Sequence, residues 1–189
     1  MEKLITYILT ILKKELSTSL TYHGIHHTLD VLKVCEEYIK IYHVDEYDAN
    51  LLKTAAVLHD IGFVFHFEDH EEIGAQFARE ILPDWGFRKE EIDQICGMIM
   101  STKIPQNPKN LLEEIMCDAD LDYLGTEKFE STGETLYQEL LALNKIKDIK
   151  EWNVFQLRFL ENHMFHTNFG KLYREPKKQS HLANLRKKS

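Results

Sequence analysis

The sequence predicts an all-α helical bundle. Three observations predict it. Apolar residues recur at helical rather than strand spacing along nearly the whole chain. Four prolines and eight glycines leave few breaks in 189 residues. No repeat, low-complexity tract or Pro/Gly/Ser linker divides the chain. Leu4, Ile5, Ile8, Leu9, Ile11, Leu12 and Leu16 form one apolar stripe, which Ser17-Thr18-Ser19 breaks. A second helix is predicted from about His26 to Tyr42, burying Leu29, Val31, Leu32, Val34, Cys35, Tyr38 and Ile39. Asp45 can cap a third, which carries Leu51, Leu52, Ala55, Ala56 and Leu58 and ends near Gly62. Phe63 to Phe67 reads either as a short strand or as a loop packing aromatics over a cleft. A fourth helix runs from about His70 to Leu82, stopped by Pro83, and a fifth from about Lys89 to Met100. After a loop over Ile104 to Asn107, Asn107-Pro108 reads as a cap followed by proline in the first turn. That helix extends to Leu121, and Gly125 ends it. Stretches of about Thr132 to Leu143 and Asn153 to His163 complete the bundle.

The length suits one domain over residues 1–189, long enough to bury its own core. The hydrophobic content of 43 % and charged content of 29 % are those of a soluble globular chain. No apolar run reaches the roughly 20 residues of a membrane span. The first segment, MEKLITYILTILKKEL, carries Glu2, Lys13, Lys14 and Glu15 and no small-residue cleavage site follows, so it reads as an amphipathic helix rather than a signal peptide. Cys35, Cys96 and Cys117 stand apart among apolar neighbours, as buried thiols of a reducing, cytoplasmic compartment do. A net charge of −8 disfavours duplex nucleic acid as a partner, which needs a basic face. Small anionic substrates remain compatible, because a bound cation can dominate the local field. The segment from Lys171 to Ser189 is locally basic and reads as a solvated, partly frayed tail. A homodimer is compatible with the sequence but not indicated by it.

Ten histidines are many for this length, and imidazole and carboxylate are the usual ligands of first-row divalent metals. His23 and His27 lie four apart at a helix start and can share a face. His59-Asp60 follows LLKTAAVL, an apolar stretch that belongs inside. Asp118, Asp120 and Asp122 alternate in CDADLDYLG. Each element alone is weak; their context is not. A charged group at the inner end of a buried helix needs a partner, since an unpaired buried charge costs several kcal/mol. A divalent cation would satisfy His59, Asp60 and Asp120 together.

In order, TYHGIHHTLDVL, AAVLHDIGF, HEEIGAQFAREIL and CDADLDYLG closely resemble the successive motifs of the HD-domain phosphohydrolases. The resemblance covers about Tyr22 to Gly125, with C-terminal helices over 130–175 and a basic tail over 176–189 beyond it. It implies an HD-domain helical bundle with His27, His59, Asp60 and Asp120 as metal ligands. Asp120 is preferred to Asp118 because the family motif reads Ala-Asp, here Ala119-Asp120, which leaves Asp118 as a supporting or substrate-side carboxylate. Tyr22-His23 resembles the signature of the cyclic-nucleotide phosphodiesterase branch, which implies His23 as proton donor to the leaving oxygen. His70 falls where dinuclear members place a further histidine, but the downstream place reads MIMST and offers none. One metal per chain is therefore expected, with His70 facing substrate or completing a weak second site. The mixed set suits manganese, iron, cobalt, nickel or zinc, with magnesium also admissible.

The implied chemistry is hydrolysis of a phosphoester by a metal-activated water, on a nucleotide or other small phosphate ester. A cyclic-nucleotide phosphodiesterase is the alternative within the superfamily, and a non-catalytic metal-dependent nucleotide sensor the alternative outside enzymes. Lys103, Arg158, Lys171 and Arg174 are candidate phosphate contacts. No Cys or Ser stands in a nucleophile context.

Overall fold

The computed structural model describes residues 1–188. Ser189, the end of the basic tail, lies outside the described residues. Among the described residues the chain forms nine α-helices and no strand: α1 (Glu2–Glu15), α2 (Ile25–Tyr42), α3 (Glu46–Leu58), α4 (His70–Ile81), α5 (Lys89–Ser101), α6 (Leu111–Asp120), α7 (Phe129–Ala142), α8 (Ile149–Asn162) and α9 (Glu175–Lys188). None of these helices is long and apolar enough to cross a membrane.

Helix α3 is the centre of the bundle. Ala49, Leu51, Leu52 and every residue from Thr54 to Leu58 are buried, so apolar residues surround the helix rather than striping one face. Asp45 caps it by accepting the Asp48 N–H at 2.9 Å. Around it pack α1, α2, α5 and α6, and α4 lies against α5. Helix α1 contributes Leu4, Ile8 and Leu12 to this core. A second, smaller cluster joins Leu121, Leu124, Phe129, Leu160, Phe165 and Leu182. It welds α7, α8 and α9 onto the exit of α6. The functional side chains sit along the seam between the two clusters.

Several expectations are corrected here. Phe63 to Phe67 is not a strand: a 3-10 turn spans Ile61–Val64. Gly62 lies so close to the His70 backbone that a Cβ there would collide with it, so the turn and α4 pack without an intervening side chain. Helix α6 does not start at Asn107-Pro108. Asn110 caps it, accepting the Glu113 N–H at 3.1 Å, while the Glu113 carboxylate takes the Lys109 N–H at 2.7 Å. Helices α7 and α8 begin earlier than expected, the latter because Asp148 caps it through Lys150 and Glu151. Leu29, expected inside, is exposed. The basic segment is not a frayed tail. After a π-helical turn over Gly170–Arg174 it forms α9, anchored by buried Leu182 and by Lys178, which is fully buried against Glu175 and the His163 carbonyl.

Candidate metal centre

Four ionisable side chains arrive at one point from three helices. His27 stands in the first turn of α2, His59 at the C-cap of α3 with Asp60 next to it, and Asp120 as the last residue of α6. The C-terminal ends of α3 and α6 bring the negative poles of two helix dipoles together, where a cation is favoured. His59 is fully buried, and Asp60 nearly so.

The distances are close. His27 Nε2 lies 3.0 Å from Asp120 Oδ1, 3.3 Å from His59 Nε2 and 3.5 Å from Asp60 Oδ2. His59 Nε2 lies 3.1 Å from Asp60 Oδ2 and 3.6 Å from Asp120 Oδ1. Groups that share one ion at about 2.1 Å are themselves roughly 3.0–3.5 Å apart, so this spacing is that of a ligand shell. His27, His59 and Asp60 each offer one ligand atom within 4.8 Å of the others.

Two details test the fit of a cation. His59 Nδ1 donates to the Ala56 carbonyl at 2.8 Å. In the neutral ring this leaves a lone pair on Nε2, aimed at the cluster. Asp60 Oδ2 is buried and has no hydrogen-bond partner, despite its 3.1 Å separation from His59 Nε2. A lone pair facing an unpartnered carboxylate oxygen is repulsive unless a positive charge lies between them. The donor set therefore fits a divalent cation. Without one, protons must take its place: burial disfavours charge on His59, but Asp60 and Asp120 outweigh it and push the imidazole well above its usual pKa. Burial likewise opposes ionisation of Asp120, yet His27 and His59 draw it down to about 2.

The other candidate residues divide. His70 approaches from α4, with Nε2 at 3.7 Å from Asp60 Oδ1 and 3.4 Å from Glu71 Oε1, and its ring stacks on Phe63 at 3.9 Å between centroids. His23 lies one turn before His27, its ring 4.2 Å from Phe63 and 6.1 Å from His70 between centroids. Asp118 is not part of this group. Its carboxylate accepts the His166 N–H at 2.7 Å, the Thr167 N–H at 3.0 Å and the Thr167 hydroxyl at 2.6 Å. Asp118 thus turns away from the four ligand candidates and fixes the loop between α8 and α9. Of the candidate phosphate contacts, Arg174 is paired with Asp122 at 2.7 Å and Lys103 with Asp69 and Glu72.

Glu139 was not among the candidates and belongs there. Its side chain is fully buried, accepts the Tyr22 and His23 N–H groups at 2.8 and 3.0 Å, and bonds His23 Nδ1. Burial works against a charged His23, but the Glu139 hydrogen bond and nearby Asp60 raise its pKa overall. The signal was present in the sequence: a carboxylate inside TLYQELLAL, on a helix face that should be apolar, poses the same problem of an unpaired buried charge as Asp60.

Fold and site together define an all-helical protein with a buried histidine and aspartate centre suited to a divalent cation. The family model of the HD domain matches residues 24–122. The chain belongs to the HD domain family, whose members bind divalent metals and are generally metal-dependent hydrolases. No curated protein and no solved structure matches it.

Proposed function

We propose that the protein hydrolyses a small phosphoester, a nucleotide among the candidates, with one divalent cation held by His27, His59, Asp60 and Asp120. The observation that carries this reading is the orphaned Asp60 oxygen among two imidazoles and a second carboxylate. When bound, such a cation supplies a water of lowered pKa and offsets charge that builds on the phosphoryl oxygens. The ligands come from one turn of α2 and the ends of α3 and α6, so they leave one side open toward the cavity that His23 and His70 also line.

His23 is the proposed proton donor. Glu139 holds Nδ1, which leaves Nε2 for the leaving oxygen. The water oxygen bonds to phosphorus as the bond to the alcohol breaks, and the alcohol takes the His23 proton. One water proton stays with the phosphate product and the other restores His23 over the cycle. His70 would steady the substrate or complete a weaker second cation site with the other oxygen of Asp60.

Hydrolysis of p-nitrophenyl phosphate and bis(p-nitrophenyl) phosphate with added manganese tests the reading, in wild type, His59→Ala and Asp60→Ala. Turnover of either substrate by wild type, lost in both variants, is expected. Turnover of the diester alone would favour the phosphodiesterase alternative. Metal uptake without turnover of either would favour a sensor.

A further inference from the structure

We propose that the cavity over this centre selects an ester bearing a single phosphate on an apolar, flat alcohol, and rejects polyphosphates. The inference rests on the hydrolase reading above and adds the substrate class. The cavity has a volume of about 180 Å³. That is below the roughly 300–1,000 Å³ of pockets for drug-sized ligands, so the part of the substrate it encloses is small.

Its lining divides by chemistry. Asp60, Asp120, Glu71, His23 and His70 bring ionisable groups, with the hydroxyl-bearing Tyr22, Tyr123 and Thr102 beside them. Ile104, Leu136, Leu140, Phe155 and Phe159 bring apolar surface. Along α8, Trp152, Phe155, Phe159 and His163 stack in sequence, with centroids 5.8, 6.1 and 6.2 Å apart and rings within 25° of parallel. Phe155 and Phe159 of this row line the cavity, and such rings favour a flat apolar group over a polyol. The same Ile104, Phe155 and Phe159 continue outward into an apolar surface groove, so a longer apolar group has a path out.

Charge sets the limit on phosphate. Among the described residues no Lys or Arg lines the cavity. Lys103 is engaged with Asp69 and Glu72, Lys145 with Glu68 at 3.1 Å and Arg174 with Asp122, while Lys150 and Arg158 line the groove outside the cavity rather than the cavity itself. The carboxylates of Asp60, Asp120 and Glu71, with Glu139 behind His23, already offset the charge that one dication would bring. A single phosphate can still bind at the ligand residues, but the further charges of a di- or triphosphate would find no Arg or Lys within the cavity itself.

The test compares 2-phenylethyl phosphate, glycerol 3-phosphate and ATP at saturating manganese, the first two having similarly poor leaving alcohols. We expect kcat/KM at least about tenfold higher for 2-phenylethyl phosphate than for glycerol 3-phosphate, with no release of phosphate from ATP. Phe155→Ala and Phe159→Ala should each lower the first value severalfold more than the second. Comparable turnover of ATP or glycerol 3-phosphate, or equal effects of both variants on both esters, would overturn the proposal. Calorimetric binding of 2-phenylethylphosphonate and methylphosphonate provides a readout without turnover. If wild type hydrolyses nothing, the hydrolase reading fails, and the phosphonates still decide this one. Tighter binding of the phenylethyl compound upholds the apolar cavity, and equal affinity sinks it.

Discussion

Each residue of the centre has a separate task, and substitutions should separate them. Asp60→Ala removes the oxygen that has no other partner, so metal and activity should be lost together. His23→Ala leaves the ligand set intact. It should keep its metal, as elemental analysis would show, while kcat falls about 10²–10⁴-fold. Loss of metal from the His23 variant would instead place that residue in the ligand shell. Burial disfavours a protonated His23, but Glu139 and Asp60 raise its pKa above the ordinary value. A group acting as an acid is competent below its pKa and fails as the pH rises through it. The alkaline limb of kcat/KM should therefore lie above the usual histidine range, and Glu139→Gln should move it to lower pH. An unmoved limb would remove Glu139 from the proton donor's support. At this scale the sequence was legible wherever a charge fell inside an apolar run: His59-Asp60 after LLKTAAVL, Asp120 after Ala119. Asp118 shares that context and does not share the site. Two residues along a helix turn a side chain through about 200°, so Asp118 and Asp120 face opposite ways, and motif spacing alone could not say which one looked inward.

The elements hold the centre by close approach more than by length. Helix α4 reaches the turn after α3 because Gly62 carries no side chain against the His70 backbone. Gly62→Ala should push α4 away, lower the thermal midpoint and weaken whatever His70 contributes, which thermal melting and kcat/KM would both register. Asp118 ties the loop before α9 to α6 through three hydrogen bonds. Asp118→Ala would leave two backbone N–H groups and the Thr167 hydroxyl proton without an acceptor, a loss of at least about 2 kcal/mol in denaturant unfolding, with metal content retained. Helices with a continuous apolar stripe or run, α1 to α5, were legible to within a few residues. Those set by caps were not. Asn110 and Asp148 start α6 and α8, yet Asn107-Pro108 offered an equally good cap, and only the Glu113 carboxylate folding back on Lys109 decides between them. Helix α9 was illegible for another reason. Its anchors are one leucine and a buried lysine in a basic segment, and neither produces an apolar period.

At the scale of the molecule, two apolar clusters meet along a seam, and the seam carries the chemistry. The first cluster presents the ligands, and the second meets the cavity through Leu121, Tyr123 and Phe159. Leu182→Ala in α9 should cost about 2–5 kcal/mol while leaving the ligands in place, since α9 closes the second cluster alone. Metal binding should stabilise the whole chain in the same way that any ligand specific to the native state does, so chelation should lower the thermal midpoint. The most direct test of the central claim is the metal content of purified protein, loaded with manganese and freed of excess ion, in wild type and Asp60→Ala. About one equivalent per chain is expected in the wild type and almost none in the variant. Equal contents in the two, or no retained metal in the wild type, would contradict the claim.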